Sequence, residues 1–130
     1  MVSKTATVAA FLFLLIAGLG MRISLRRRRE RIGPGMIGDD SFTRLQRAHG
    51  NAVEHVPLLL LGMLLLELLG VSSGALVALG AAILVARASH AAGIVLRTRH
   101  PLHTLGGALT YTLEIAMGAT LLVLALRNRG

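Results

Sequence analysis

The sequence predicts an all-α fold, an integral membrane bundle of four helices that forms a single domain over residues 1–130. Three observations predict it. The 130 residues are 54% hydrophobic and only 15% charged, whereas about a quarter of the residues of a soluble domain are charged. The hydrophobic residues are gathered in runs at residues 5–23, 52–71, 74–96 and 105–126, each close to the roughly 20 residues that a helix needs to cross a bilayer. Helices are expected because lipid offers the backbone no hydrogen-bond partner.

The first span, residues 5–23, is followed by arginines and preceded only by Lys4. A secretory signal peptide has the opposite arrangement, with its positive charge ahead of the apolar stretch. We therefore expect this segment to be retained as a membrane span.

The basic residues lie at the ends of the spans, where they indicate orientation. The net charge is +8, and eight arginines lie from Arg22, at the end of the first span, to Arg47, just ahead of the second. The positive-inside rule places this loop and the loop with Arg97 and Arg99 in the cytoplasm, and both termini outside. We expect an integral membrane protein surrounded by lipid. A nucleic-acid partner is not expected, because the chain has one Tyr, three Phe and no Trp to interleave with its basic residues.

The second span, residues 52–71, begins with a polar face. Asp40 or Ser41 is expected to cap a helix that starts near Phe42 and continues into the span, although an ordinary turn is equally compatible. Arg47, Asn51 and Glu54 are spaced i, i+4, i+7, so they share one helical face. Glu54 lies about 10 Å deeper than Arg47 at 1.5 Å per residue.

The third span, residues 74–96, returns toward the basic side and carries Arg87 and His90 on one face. Arg87 is about 15 Å from the basic end of this helix, a depth comparable to that of Glu54. The two faces therefore predict a shared polar cavity.

The fourth span, residues 105–126, begins with Gly106 and Gly107, which allow close helix packing. Tyr111 is expected to pack or to form an interfacial hydrogen bond. Glu114 is expected to pair with an arginine of a neighbouring helix or to line the central contact of an oligomer. Glu67, in the second span, is expected to snorkel or to bond a neighbouring helix.

Two interpretations of the buried charges stay open on residue types alone. Arginine binds carboxylates bidentately, and a carboxylate such as Glu54 suits an ammonium group. A ligand with two carboxylates and one amine, such as glutathione, matches this set, as do other anionic metabolites. Alternatively, Glu54 forms an internal salt bridge with Arg87 or Arg47. No metal site is expected, because the chain has no Cys and its histidines lack ligand spacing.

The second-span motif Arg47-Ala-His49-Gly-Asn51-Ala-Val-Glu54-His55-Val-Pro57 closely resembles the MAPEG superfamily, the membrane-associated proteins in eicosanoid and glutathione metabolism. The segments Arg87-Ala-Ser-His90-Ala-Ala-Gly93 and Gly106-Gly-Ala-Leu-Thr110 are similar to its third- and fourth-helix motifs. The resemblance covers nearly the whole chain and indicates a short bacterial-type member.

The resemblance implies a left-handed bundle that assembles into a homotrimer and binds glutathione as co-substrate between neighbouring subunits. The positions that match family glutathione contacts are Arg26, Arg47, His49, Asn51, Glu54, His55, Arg87 and His90.

The resemblance also implies a glutathione transferase or peroxidase that acts on a lipophilic small-molecule substrate from the bilayer. Catalytic members stabilise the glutathione thiolate with an arginine near the third loop, for which Arg97 and Arg99 are the candidates. This loop differs in length from the family pattern. A non-catalytic membrane module with structural salt bridges is the alternative. A proton-coupled exporter is disfavoured, because the first span carries no acidic residue.

Overall fold

The computed structural model describes residues 2–33, 35–36, 38–97 and 100–127. It contains four helices in chain order, α1 (Lys4–Glu30), α2 (Asp40–Leu68), α3 (Ser73–Leu96) and α4 (Pro101–Arg127). Each of the four is long and apolar enough to cross a membrane. The predicted all-α class with four helices is therefore confirmed, and the four apolar helices are those of an integral multi-pass membrane protein by length and composition.

The first loop is shorter than the apolar pattern indicates, because both flanking helices extend beyond their spans. Helix α1 continues through the arginine block and ends where Arg31 adopts the left-handed conformation at φ 54°. Helix α2 starts at Asp40, well ahead of its apolar run.

The cap of α2 is Asp39, so the expectation of Asp40 or Ser41 was wrong by one or two residues. Asp39 has an extended backbone, and its Oδ1 accepts a hydrogen bond from the Phe42 N–H at 2.8 Å. The first-turn N–H groups of a helix lack internal partners, so an acceptor placed there stabilises it. This bond, the Ser41 hydroxyl and the nearby Arg26 guanidinium hold the pKa of Asp39 below its usual value.

The bundle is arranged around α2 and α3. Helix α1 packs against both of them, and α4 packs against both as well, while α1 and α4 do not meet within the described residues. The main core lies between them and is formed by Val8, Leu12, Val56, Leu59, Met63, Leu66, Leu76, Ile83 and Met117.

Helices α3 and α4 approach closely through two glycines near the basic end. A Cβ added to Gly93 would collide with the backbone of His103. A Cβ on Gly106 would lie 2.5 Å from the His90 backbone nitrogen and 2.8 Å from the Ala86 oxygen. Small residues let helix backbones approach in membranes, and here they bring His90 directly against α4.

At the opposite end of the bundle, Glu67 of α2 connects this helix to the N-terminus of α1. Its Oε1 accepts hydrogen bonds from the backbone N–H groups of Ser3 and Lys4 at 3.1 and 3.0 Å, and its Oε2 accepts one from Thr5 at 2.8 Å. Glu67 thus occupies the N-terminus of α1, where a negative charge is favourable. This is the bond to a neighbouring helix expected for it.

Candidate functional site

A polar cavity of about 690 Å³ opens between α2, α3 and α4. Its volume is within the usual range for small-molecule sites. The residues that line it are Arg47, Gly50, Asn51, Glu54, His90, Ile94, His103, Thr104, Gly107, Ala108 and Tyr111. Four of these are residues that the sequence pattern singled out for binding, namely Arg47, Asn51, Glu54 and His90.

Arg87 is bonded to the wall of this cavity. Its side chain is almost fully buried, with 1% of the residue exposed. Nη2 donates to Asn51 Oδ1 at 2.7 Å and Nη1 donates to Thr110 Oγ1 at 3.1 Å. Both partners are neutral, and Nε is buried with no hydrogen-bond partner among the described residues. Glu114 acts on the Arg87 charge only at longer range. A buried guanidinium therefore sits behind Asn51 with no ion-pair partner in the described part of the chain.

Glu54 and Arg47 lie on the open side of the cavity. Both are exposed. Within the described residues, the ion pairs join Arg26 to Glu30 and Asp39, and His55 to Glu114. The internal salt bridge between Glu54 and Arg47 or Arg87 is thus not formed among these residues. Two cationic groups and one carboxylate are left in or behind a single cavity.

His90 is oriented by α4. Its Nδ1 lies 2.8 Å from the carbonyl oxygen of His103. A carbonyl oxygen can only accept, so Nδ1 carries the proton and Nε2 is the acceptor of the neutral ring. The ring packs beside Gly107 and lies 4.8 Å, centroid to centroid, from the ring of His103. The fixed tautomer gives this wall of the cavity a defined polarity.

His55 lies next to the cavity and is bonded to α4. Its Nδ1 is 2.8 Å from Glu114 Oε1, and its ring meets Tyr111 edge-on at 5.2 Å between centroids. Glu114 bonds a neighbouring helix, but its partner is His55 and not the expected arginine. Tyr111 lines the polar cavity as well as packing on His55.

Arg26 and His49 lie away from the cavity within one chain. Arg26 donates to Glu30 at 2.7 Å, to both carboxylate oxygens of Asp39 at 2.9 Å and to the Ser41 hydroxyl. The imidazole of His49 packs against Gly20 of α1. Neither residue lines the polar cavity.

Of the two predicted catalytic arginines, the structure describes only Arg97. Arg97 is the exposed residue that follows α3, and it does not line the cavity. Arg99 lies outside the described residues.

Several residues that line the cavity were not predicted from the sequence. His103, Thr104 and Tyr111 enter the cavity because Gly93 and Gly106 bring α4 against α3. Thr110 holds Arg87 while donating to the Gly106 carbonyl at 2.8 Å. The signal available for these residues was their proximity to the glycines that open α4, at intervals of three or four residues.

The arrangement suits a zwitterionic or polyanionic small molecule. Arg47 and the buried Arg87 favour anionic groups, and Glu54 favours a cation, while Asn51 and His90 add hydrogen-bonding capacity. The described residues contain no group of three or more candidate metal ligands.

Comparison with known proteins identifies the family of the chain. No curated protein gives a significant match to the chain. The model of the MAPEG family matches residues 5–123, a range that includes α2 and α3 whole and most of α1 and α4. The chain therefore belongs to the MAPEG family.

Proposed function

We propose that this protein binds glutathione in the polar cavity and is a MAPEG-type glutathione transferase or peroxidase that acts on lipophilic electrophiles. The observation that carries the proposal is the buried Arg87, which has no ion-pair partner among the described residues and is bonded to the cavity wall through Asn51. Burying an ion without a counter-ion is unfavourable. An anionic ligand in the cavity supplies the missing charge.

Each group of glutathione has a complementary residue in this proposal. Its two carboxylates are assigned to Arg47 and to the field of Arg87, and its ammonium group is assigned to Glu54. Asn51 uses its Oδ1 on Arg87, which leaves the amide N–H groups to donate to the ligand.

The proposed reaction is attack of the glutathione sulfur on an electrophilic carbon. The thiol loses its proton to solvent, and the thiolate sulfur forms a C–S bond. The leaving group then departs with its electron pair, or the adduct takes up a proton. A nearby cation lowers a thiol pKa and so raises the thiolate fraction. Arg97 and Arg99 are assigned this role.

We further propose a left-handed homotrimer with a binding site shared between subunits. Arg26 and His49 lie outside the cavity of their own chain, so a neighbouring copy has to supply them if they contact glutathione. The proposed location is a bacterial plasma membrane, with the basic loops in the cytoplasm and both termini outside.

A non-catalytic module is the second candidate, favoured by the way Glu67 and Glu114 are held by internal bonds. In that case the charges of the cavity serve structure, and glutathione does not bind.

Calorimetric titration of the detergent-purified protein with glutathione decides between them. The wild type is expected to bind, and Arg47→Ala and Glu54→Ala are each expected to bind at least about tenfold more weakly, because a charged hydrogen bond contributes roughly 1.5–3 kcal/mol. The matched control is Arg28→Ala, which removes an exposed arginine of α1 outside the cavity. Absence of binding by the wild type contradicts the proposal.

A second ligand tests the contact of the ammonium group separately from the contacts of the carboxylates. N-acetylglutathione lacks the ammonium group, so the Glu54→Ala variant and the wild type should bind it equally. If Glu54→Ala weakens both ligands to the same extent, the assignment of Glu54 is wrong. Binding of glutathione without turnover of a chlorodinitrobenzene electrophile leaves a binding protein and overturns the transferase assignment.

A further inference from the structure

A second groove, separate from the polar cavity of the same chain, runs along α1 from the basic end of the bundle, where α2 also lines its mouth, and continues between α1 and α3. It consists of two chambers of about 530 and 330 Å³. Both chambers are lined by Arg22 and Val95, so they adjoin at these residues. We call this feature the α1–α3 groove.

The larger chamber is basic. Arg22, Arg26 and Arg29 line it and are spaced i, i+4, i+7, so they share one face of α1. Arg26 is neutralised by Glu30 and Asp39. Arg22 and Arg29 form no ion pair within the described residues, and they lie about one turn on either side of Arg26. Two arginine charges are thus available to an anion at this chamber.

The smaller chamber is apolar and leads toward the interior of the membrane. Leu15 and Leu19 of α1 form one wall, and Ala88 and Ala92 of α3 form the other. Leu15 lies about 10 Å from Arg22 along the helix axis. The groove therefore joins a basic mouth to an apolar channel that lies parallel to the helices.

We propose that the α1–α3 groove binds an anionic membrane phospholipid, with its phosphate at Arg22 and Arg29 and an acyl chain along Ala88 and Ala92. Basic pockets between membrane helices at the cytoplasmic side bind anionic head groups, and arginine pairs with phosphate bidentately. The proposal does not rest on glutathione binding.

Charge complementarity favours a lipid over a second copy of the chain as the occupant. Copies with the same membrane orientation bring their arginine-rich ends to the same depth. A copy seated in this groove would set its own arginines against Arg22 and Arg29, whereas an anionic head group is attracted to them.

Native mass spectrometry of the purified protein, with dioleoyl phosphatidylglycerol and dioleoyl phosphatidylcholine at equal concentration, measures the preference directly. The wild type is expected to retain phosphatidylglycerol at least about tenfold more than phosphatidylcholine. The R22Q/R29Q double variant is expected to lose this preference. The control R28Q/R127Q removes the same charge outside the groove and is expected to keep it. Equal retention of the two lipids by the wild type, or loss of the preference in the control, overturns the proposal.

The apolar chamber is tested by filling it. Ala92→Phe is expected to reduce phosphatidylglycerol retention, whereas Ala78→Phe, on an exposed part of α3 outside the groove, is expected to leave it unchanged. Circular dichroism and gel filtration establish that both variants are folded. Glycerol phosphate and inorganic phosphate serve as probes without acyl chains. If either competes with phosphatidylglycerol at equal concentration, the site is a simple phosphate site and the lipid assignment is wrong.

The alternative occupant, a second copy, has its own readout. The chain has no cysteine, so Ala92→Cys introduces a single thiol in the groove. We expect no disulfide-linked dimer in liposomes under oxidation. Efficient cross-linking between copies shows that the groove is a subunit interface and overturns the proposal.

Discussion

Gly106→Ala tests whether the close approach of α3 and α4 builds the candidate site. The new Cβ would lie 2.5 Å from the His90 backbone nitrogen, 2.7 Å from the Ser89 hydroxyl and 2.8 Å from the Ala86 carbonyl oxygen. Ordinary contact begins at roughly 3.5 Å, so the two helices have to separate by about 1 Å. Two of the three obstructing atoms belong to the backbone, which cannot rotate away.

The expected destabilisation is the overpacking cost less the gain in helix propensity. Overpacking costs about 1–3 kcal/mol, and replacing Gly by Ala within a helix contributes up to about 1 kcal/mol. Gly118→Ala is the matched control on the same helix, because among the described residues no atom beyond the adjoining backbone of α4 lies within 4 Å of its added Cβ. Both variants gain helix propensity from the Gly-to-Ala change. The difference between their free energies of unfolding, roughly 1–3 kcal/mol, therefore measures the cost of overpacking alone.

The assay is unfolding of the detergent-solubilised protein by increasing dodecyl sulfate, followed by circular dichroism, together with glutathione titration. Gly106→Ala should be less stable than Gly118→Ala and should bind glutathione more weakly, because His90 and His103 move apart. Equal stability and equal glutathione affinity in the two variants would refute the packing argument.

Three further predictions address single groups. Arg87→Met should leave the free energy of unfolding within about 1–2 kcal/mol of the wild-type value, because removal of a buried charge relieves its desolvation. The glutathione affinity of this variant should fall at least about tenfold. Strong destabilisation with unchanged affinity would assign Arg87 to structure. Glu67→Gln should lower the melting temperature and raise hydrogen exchange at the Lys4 and Thr5 amides, since the charged acceptor at the start of α1 is lost; unchanged exchange would contradict this. Asp39→Asn should remove a pH dependence of stability. The folded state lowers the pKa of Asp39, so the stabilisation by its carboxylate is complete at pH values above the ordinary pKa of about 3.9. This stabilisation declines as the pH falls below that value. A wild type and variant with parallel melting profiles from pH 3 to 7 would show that Asp39 contributes nothing.

The fold was predictable because two requirements constrain a membrane chain strongly. Each span has to match the thickness of the bilayer, and each backbone N–H and C=O group in lipid has to find a hydrogen-bond partner within the protein. Four apolar runs of the right length specify four helices, and helical spacing on α2 places Arg47, Asn51 and Glu54 on one cavity wall. Arg87 of α3 lies at a depth comparable to that of the polar face of α2, as predicted, since it bonds Asn51 directly.

Details that depend on side-chain register between helices were not predictable. The sequence is equally compatible with a Glu54 that pairs with an arginine and with a Glu54 that is free to bind a ligand. The bond between His55 and Glu114 depends on how α4 is rotated against α2, which neither helix specifies alone. The cap at Asp39 depends on a local backbone conformation at the junction of loop and helix, and neighbouring Asp40 and Ser41 are equally good cap residues by type.

The central claim is that the polar cavity holds glutathione through its unpaired charges, and the most direct measurement is the glutathione dissociation constant of the wild type and of Glu54→Ala in the same detergent. Saturable binding by the wild type, at least about tenfold weaker binding by Glu54→Ala and wild-type binding by Arg28→Ala are the predicted results. Equal dissociation constants for the wild type and Glu54→Ala, or no binding by either, would contradict the claim.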